Sequence, residues 1–282
     1  MPPRPHPTAR QKRLGTELRK LRERAGLSGG AVAAFLGGER AQVSHLESGR
    51  YGISAERVRR IAAYCSATDK HLVDVLASMA EERGKGWWDE YRGILPPGFR
   101  DQAELEHHAT YMRTVQTLYV PGLFQTAEYA RELIASGVTS FQASEVNARV
   151  EHRMRRREIL DRPNPPKFEA LIHEAALRMR YCSADVMRAQ LEFLHDVSLW
   201  PSVTIRVIPF EARITGSAHS VLYAGAVIPQ LDTVQIDSAF DAAYLDAEAQ
   251  LVKYRALIDS VEAISLSAAE SSKFIQRIAQ EM

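Results

Sequence analysis

Apolar residues return every three or four positions through most of the first eighty residues, the spacing of helices with one buried face. From Ala9 to Ala25, Leu14, Leu18 and Leu21 fall on one side, while Lys12, Arg13, Arg19, Lys20, Glu23 and Arg24 lie mostly elsewhere. Gly26 ends this helix, and Ser28 is placed to cap a second whose apolar face is Val32, Phe35 and Leu36. Gly37-Gly38 breaks the chain again. A third short helix follows from about Arg40 to Ser48, with Val43 and Leu46 facing inward, and Gly49 stops it. Ser54 caps a fourth helix carrying Val58, Ile61 and Ala62, and Asp69 opens a fifth carrying Leu72, Val75, Leu76 and Met79. Five short helices so close together predict a compact bundle.

Arg83-Gly84-Lys85-Gly86 then interrupts the pattern. It places a linker at 83–88 between one domain over 9–82 and another over 89–282, after a proline-rich arm at 1–8 expected to be disordered. In the second domain helical periods occur around 101–113, 126–136, 145–161, 184–198, 246–260 and 268–280. Strand-like runs occur at Phe168–Ile172, Val203–Ile208, Ser220–Ala224 and Thr233–Ile236. The last three come in succession, which predicts an antiparallel sheet backed by helices. The expected fold is therefore mainly α: a five-helix bundle, then an α+β domain with a small antiparallel sheet.

Composition narrows the function. No apolar run approaches bilayer length, and the basic, proline-containing start, Met1-Pro2-Pro3-Arg4-Pro5-His6-Pro7, has no apolar stretch behind it. Cys65 and Cys182 are far apart in unlike contexts, which argues against a disulfide framework or zinc site and suits a reducing cytoplasm. The net charge of +1 hides an asymmetry: residues 1–80 hold 14 Lys and Arg against 7 Asp and Glu, the rest 22 against 28. A basic front on an acidic body fits a polyanion-binding module attached to something else.

The informative stretch is Gly26-Leu27-Ser28 followed by Leu36-Gly37-Gly38-Glu39-Arg40-Ala41-Gln42-Val43-Ser44-His45-Leu46-Glu47-Ser48-Gly49-Arg50. A helix-turn-helix packs one helix on a second across a tight turn, and the second offers its outer face to the major groove. With Val43 and Leu46 inward, Arg40, Ala41, Gln42, Ser44 and His45 cover the remaining faces. Arg reads guanine bidentately, Gln reads adenine, and an Ala methyl packs on thymine's. Double-stranded DNA is the expected partner, with Arg50 beside the reading helix.

This stretch resembles the phage-repressor (Cro/C1, XRE) helix-turn-helix family over about residues 10–80, through Leu21-Arg22-Glu23, Gly26-Leu27-Ser28, Leu36-Gly37, Val43-Ser44, Leu46-Glu47 and Gly49-Arg50. The resemblance implies an ion pair between Arg22 and Glu47 that clamps the first helix to the recognition helix, and base contacts from Arg40, Ala41 and His45. Many members carry Gln where this chain has Gly29, to grip the phosphate backbone, and Gly29-Gly30 cannot do so. The remainder resembles an actinobacterial, antitoxin-like regulator group with a carboxy-terminal domain of unknown function. The residues carrying this are Tyr119-Val120-Pro121-Gly122-Leu123-Phe124-Gln125-Thr126, His173-Glu174-Ala175-Ala176-Leu177, Gln190-Leu191 and Val203-Thr204-Ile205-Arg206-Val207-Ile208-Pro209-Phe210. That resemblance implies a small protein partner.

Other signals are weaker. Gly26-Leu27-Ser28-Gly29-Gly30 fits a hydrolase nucleophile elbow, but a helix precedes it where a strand is required. His173-Glu174-Ala175-Ala176-Leu177 begins like a zinc-protease motif, with Leu177 where the second His must stand. His107-His108 are expected to point apart on a surface, and Arg153, Arg155, Arg156 and Arg157 to form a solvated face. Trp87-Trp88 are expected to cover the domain junction. No phosphate-binding glycine loop, cofactor or metal site is expected, nor an enzyme. The expectation is a cytoplasmic homodimer that regulates transcription from a pseudo-palindromic operator, controlled through its second domain. An antitoxin-like protein that neutralises a small partner is the alternative, with a small-ligand sensor or an enzyme in the second domain further behind.

Overall fold

The computed structural model describes residues 4, 6–82, 86–137, 140–213, 219–237 and 242–282. By internal contacts the chain divides into two compact units: Met1–Glu90 with Phe99–Leu105, and Tyr91–Gly98 with Glu106–Met282. Arg83, Gly84 and Lys85, at the centre of the expected linker, lie outside the described residues.

The first unit holds α1 (Ala9–Arg24), α2 (Gly29–Phe35), α3 (Arg40–Glu47), α4 (Ala55–Tyr64) and α5 (Lys70–Glu81). Four of the five starts have a side-chain cap. Ser28, Ser54 and Asp69 accept hydrogen bonds from the backbone N–H groups of Ala31, Arg57 and Leu72, and Thr8 forms a reciprocal capping box with Gln11. Three of the stops are equally local. Gly26, Gly37 and Gly49 take positive φ, which an L side chain resists. Leu18, Val32, Val43, Leu46, Val58, Ile61, Leu72 and Leu76 form the core.

Two expectations change here. Phe35 is not core: it is 37% exposed and stacks on Tyr64, with ring centroids 4.2 Å apart. Part of the amino-terminal arm is also ordered. Arg4 donates its backbone N–H to the Arg50 carbonyl at 2.9 Å, the His6 carbonyl accepts from Arg100, and Thr8 is buried in its capping box. Met1, Pro2, Pro3 and Pro5 lie outside the described residues.

The second unit is built on a six-stranded mixed sheet in the order β3-β2-β1-β4-β5-β6. Its strands are β1 (Tyr111–Gln116), β2 (Lys167–His173), β3 (Val203–Ile208), β4 (Val221–Gly225), β5 (Thr233–Asp237) and β6 (Ala242–Leu245). The sheet is neither small nor antiparallel throughout, because β1, β2 and β3 run parallel. Parallel neighbours need long crossovers. The chain supplies them as α7 (Ala127–Ala135) and α8 (Ala143–Arg157) between β1 and β2, and α9 (Glu174–Arg178) and α10 (Ala184–Val197) between β2 and β3. The short links after β4 and β5 leave that half antiparallel. The strand β1 also cuts short the helical period expected over 101–113, since α6 (Pro97–His108) ends before it.

Alternating strand residues supply two cores. Met112, Phe168, Ala170, Ile172, Ile205 and Val207 face α10 and α12 (Ala268–Glu281), meeting Met187, Leu191, Ile275 and Ile278. Val115, Leu171, Ile208, Tyr223 and Val234 face α11 (Glu248–Ala263) through Leu251, Ile258 and Val261. With both faces covered, the central strands bury apolar residues on both sides.

The arginine run on α8 is not a solvated face. Arg156 is buried and forms a bidentate pair with Glu106 at 2.6 and 2.7 Å, while Arg157 lies over the Phe193 ring. Charge pattern marked a helix surface, but burial was decided by a carboxylate fifty residues away. His107 and His108 do not point apart either; both are half-buried, with ring centroids 4.8 Å apart.

Candidate nucleic-acid interface

The expected recognition helix, α3, is only eight residues long, too short to hold itself in water. Its position comes from α1. Gly15, in the middle of α1, lies against the carboxy-terminal end of α3 so closely that an added Cβ would stand 2.5 Å from the Glu47 carbonyl oxygen and 2.6 Å from that of Leu46. At Gly49, where φ is +73°, a Cβ would meet the Gln11 backbone at 2.7 Å. Two glycines thus let the backbones of α1 and the end of α3 touch.

An ion pair locks that approach. Arg22 donates from Nε to Glu47 Oε1 at 2.6 Å and from Nη2 to Oε2 at 2.9 Å, and from Nη1 to the Leu27 carbonyl at 2.9 Å. One guanidinium therefore ties together the end of α1, the chain entering α2 and the end of α3. Both side chains are largely buried, at 13% and 14% exposure, where such a bidentate pair is worth more than a surface one. The hydrogen bond to Glu47 holds the Arg22 guanidinium above its ordinary value, so it stays charged. Burial pushes the neighbouring Cys65 thiol up, away from thiolate.

Outward, α3 presents a small polar surface. Val43 and Leu46 are buried, so Ala41, Ser44 and His45 take the centre of the opposite face and Arg40 its edge. Arg40, Ala41 and Ser44 are exposed, and His45 is half-buried against Tyr51, with ring centroids 4.9 Å apart. The Tyr51 N–H donates to the His45 carbonyl at 3.0 Å, folding the following loop back along the helix with Arg50 exposed on it. Gln42 stands apart from this group. Its amide oxygen lies 2.4 Å from where a Gly38 Cβ would be, so it folds onto the turn before α3. Glu39, at the N-cap of α3, makes no capping bond and is exposed beside Arg40.

Two contributors escaped the sequence reading. Arg4 donates to the Gly49 carbonyl at 3.5 Å and reaches over Gly52, adding a cation beside Arg50. The mid-helix Gly15 was the other, and a glycine inside a helical run is itself a sign of close backbone approach. Among the described residues no group of three or more His, Cys, Asp or Glu side chains is placed to hold a metal ion, and no helix is long and apolar enough to cross a membrane.

Comparison with known proteins agrees with this geometry. A model of the helix-turn-helix domain matches residues 13–76, which span the clamp and the whole of α3. Searches of curated proteins and of solved structures gave no match. A second family model, the domain of unknown function DUF5753, matches residues 99–277, more than half of the chain. The chain belongs to the DUF5753 family and carries a helix-turn-helix domain in front of that domain.

Proposed function

We propose that this protein is a sequence-specific DNA-binding transcriptional regulator of the phage-repressor (XRE) type, from the antitoxin-like group to which its sequence is similar, acting in the cytoplasm and not as an enzyme. The observation that carries the reading is α3 itself: clamped at its end by Arg22 and Glu47, it turns Arg40, Ala41, Ser44 and His45 outward together. In a major groove Arg40 reads guanine, Ala41 packs on a thymine methyl, and Ser44 and His45 add hydrogen bonds to base edges. Gln42 joins them only by leaving Gly38. Arg50 and Arg4 meet phosphates at the edge of the site.

One eight-residue helix reads too few base pairs to choose a genomic site, so the protein acts as a homodimer on a pseudo-palindromic operator, its half-sites about 34 Å apart. Dimerisation and control belong to the second unit, through a small protein partner. Selection of duplexes from a random pool by the full chain tests this reading. The expected product is an inverted repeat bound as two copies per duplex. Recovery of no consensus, or of one asymmetric site bound by a single copy, refutes it.

A further inference from the structure

The arginines of α8 pose a problem that the fold does not solve. Arg149, Arg153 and Arg157 stand four residues apart, on one line about 6 Å from step to step, where like charges oppose one another. Arg149 has Glu145 at 2.8 Å, and the inner Arg156 has Glu106. Arg153 and Arg157 have no such carboxylate among the described residues. Both converge on one neutral residue: Arg153 donates from Nη1 to Gln125 Oε1 at 2.5 Å, and Arg157 from Nη1 to the Gln125 carbonyl at 3.4 Å.

Gln125 is buried and held rigidly by its own bond from Nε2 to the Val120 carbonyl at 2.7 Å, so it cannot turn to offer more. Arg153 Nε is sealed from solvent without a hydrogen-bond partner, although the residue as a whole is half-buried and keeps an open edge. Above it the loop carries Gly122. A Cβ there would be in ordinary van der Waals contact with both arginines, 3.5 Å from Arg156 Nη2 and 3.9 Å from Arg153 Nε, so the loop backbone lies close over them.

We infer that Arg153, with Arg157 beside it and Gly122 above, is the binding site for an oxyanion, the phosphate or carboxylate group of a small ligand. The planar guanidinium fork matches such a group bidentately, and a recessed arginine without a carboxylate supplies the charge that recognises it. Burial, with Arg156 close by, depresses the Arg153 guanidinium to about 10, consistent with a positive, poorly hydrated site. Gln125 places the fork without neutralising it. This assignment is independent of the DNA-binding reading: it makes the second unit a receptor for an anionic small molecule, whatever the first unit reads.

The test is thermal unfolding of the full chain titrated with inorganic phosphate and, separately, succinate, at ionic strength held constant with sodium chloride. One of the two is expected to raise the transition of the second unit saturably, by roughly 5–10 °C at a hundredfold excess over Kd. Which of them acts identifies the oxyanion as phosphate or carboxylate. Arg153→Met, which keeps the bulk of the stem, is expected to abolish the shift. Gln125→Glu, which supplies the missing carboxylate from within, is expected to abolish it too, so the proposal stays testable if either variant folds poorly. No saturable shift with either anion, or a shift that both variants retain in full, overturns the assignment.

Discussion

Replacing Gly15 with Ala sets two effects of known sign against each other. In an unencumbered helix interior the change is favourable by about 0.5–1 kcal/mol, because glycine loses more backbone freedom on folding. Here the new Cβ would stand 2.5 Å from the Glu47 carbonyl oxygen and 2.6 Å from that of Leu46, and both obstacles are backbone. Restoring ordinary contact requires α1 and the end of α3 to part by about 0.5–1 Å, and overpacking of this kind costs about 1–3 kcal/mol. Overlap wins. Gly15→Ala is expected to destabilise the first unit by about 1–2 kcal/mol net, lowering its melting temperature by roughly 5–15 °C. Because the same separation lengthens the Arg22–Glu47 bonds, operator affinity should fall with stability. Calorimetry of the full chain measures the first effect and titration with a selected duplex the second. Gly30→Ala is the control, since a Cβ there meets only Ser28 Oγ at 3.7 Å. If Gly15→Ala matched Gly30→Ala in stability, the close approach of α1 to α3 would not exist in solution.

Arg40→Ala should cost about 1–3 kcal/mol of operator affinity, concentrated at one base position, whereas a uniform loss across all sequences would make Arg40 a phosphate contact. Gly29→Gln places a long polar side chain where a Cβ would already lie 3.9 Å from Arg40 Cγ; non-specific affinity should rise and discrimination at the Arg40 position fall, and unchanged discrimination in a selection would contradict this. Burial raises the Glu104 carboxyl above its ordinary value, so its contribution to stability is complete below that value and is lost as pH rises through the raised one. Glu104→Gln should therefore be more stable than the parent at pH 7 but not at pH 4, and an equal difference in Tm at both would exclude the mechanism.

The helices of the first unit were legible because their limits are written locally. Ser28, Ser54 and Asp69 cap, and Gly26, Gly37 and Gly49 stop, each by a bond or dihedral within a few residues. What sequence could not supply was partnership at a distance. Phe35 has the right spacing for a core position, yet the space beside it is taken by Tyr64 at the surface. In the second unit β2, β3, β4 and β5 were visible as apolar runs, whereas β1 and β6 were not. The parallel pairing of β2 on the side away from β3 depends on β1, whose Tyr111–Gln116 follows a helix so closely that helical spacing seemed to run into it. β6, with Ala242 and Ala243, carries little strand preference of its own.

Two arginines show how partner rather than residue type decides a role. Arg22 meets a carboxylate in bidentate geometry and a carbonyl besides, so its charge is matched and its work is structural. Arg153 is also recessed and also donates to an oxygen of a five-atom side chain, but through one bond rather than three, and that oxygen belongs to an amide. The first arrangement closes a charge pair inside the fold, and nothing further is needed to stabilise it. The second holds a guanidinium in place with only Glu106, already paired with Arg156, to offset its charge, an arrangement that an arriving anion would improve. The amide at 125 also serves the fold, since its Nε2 donates to the Val120 carbonyl, a bond that a glutamate could not make. The part of the guanidinium that the amide leaves unmatched is the argument for a ligand, and it applies to the domain whose function is unassigned rather than to the helix-turn-helix domain.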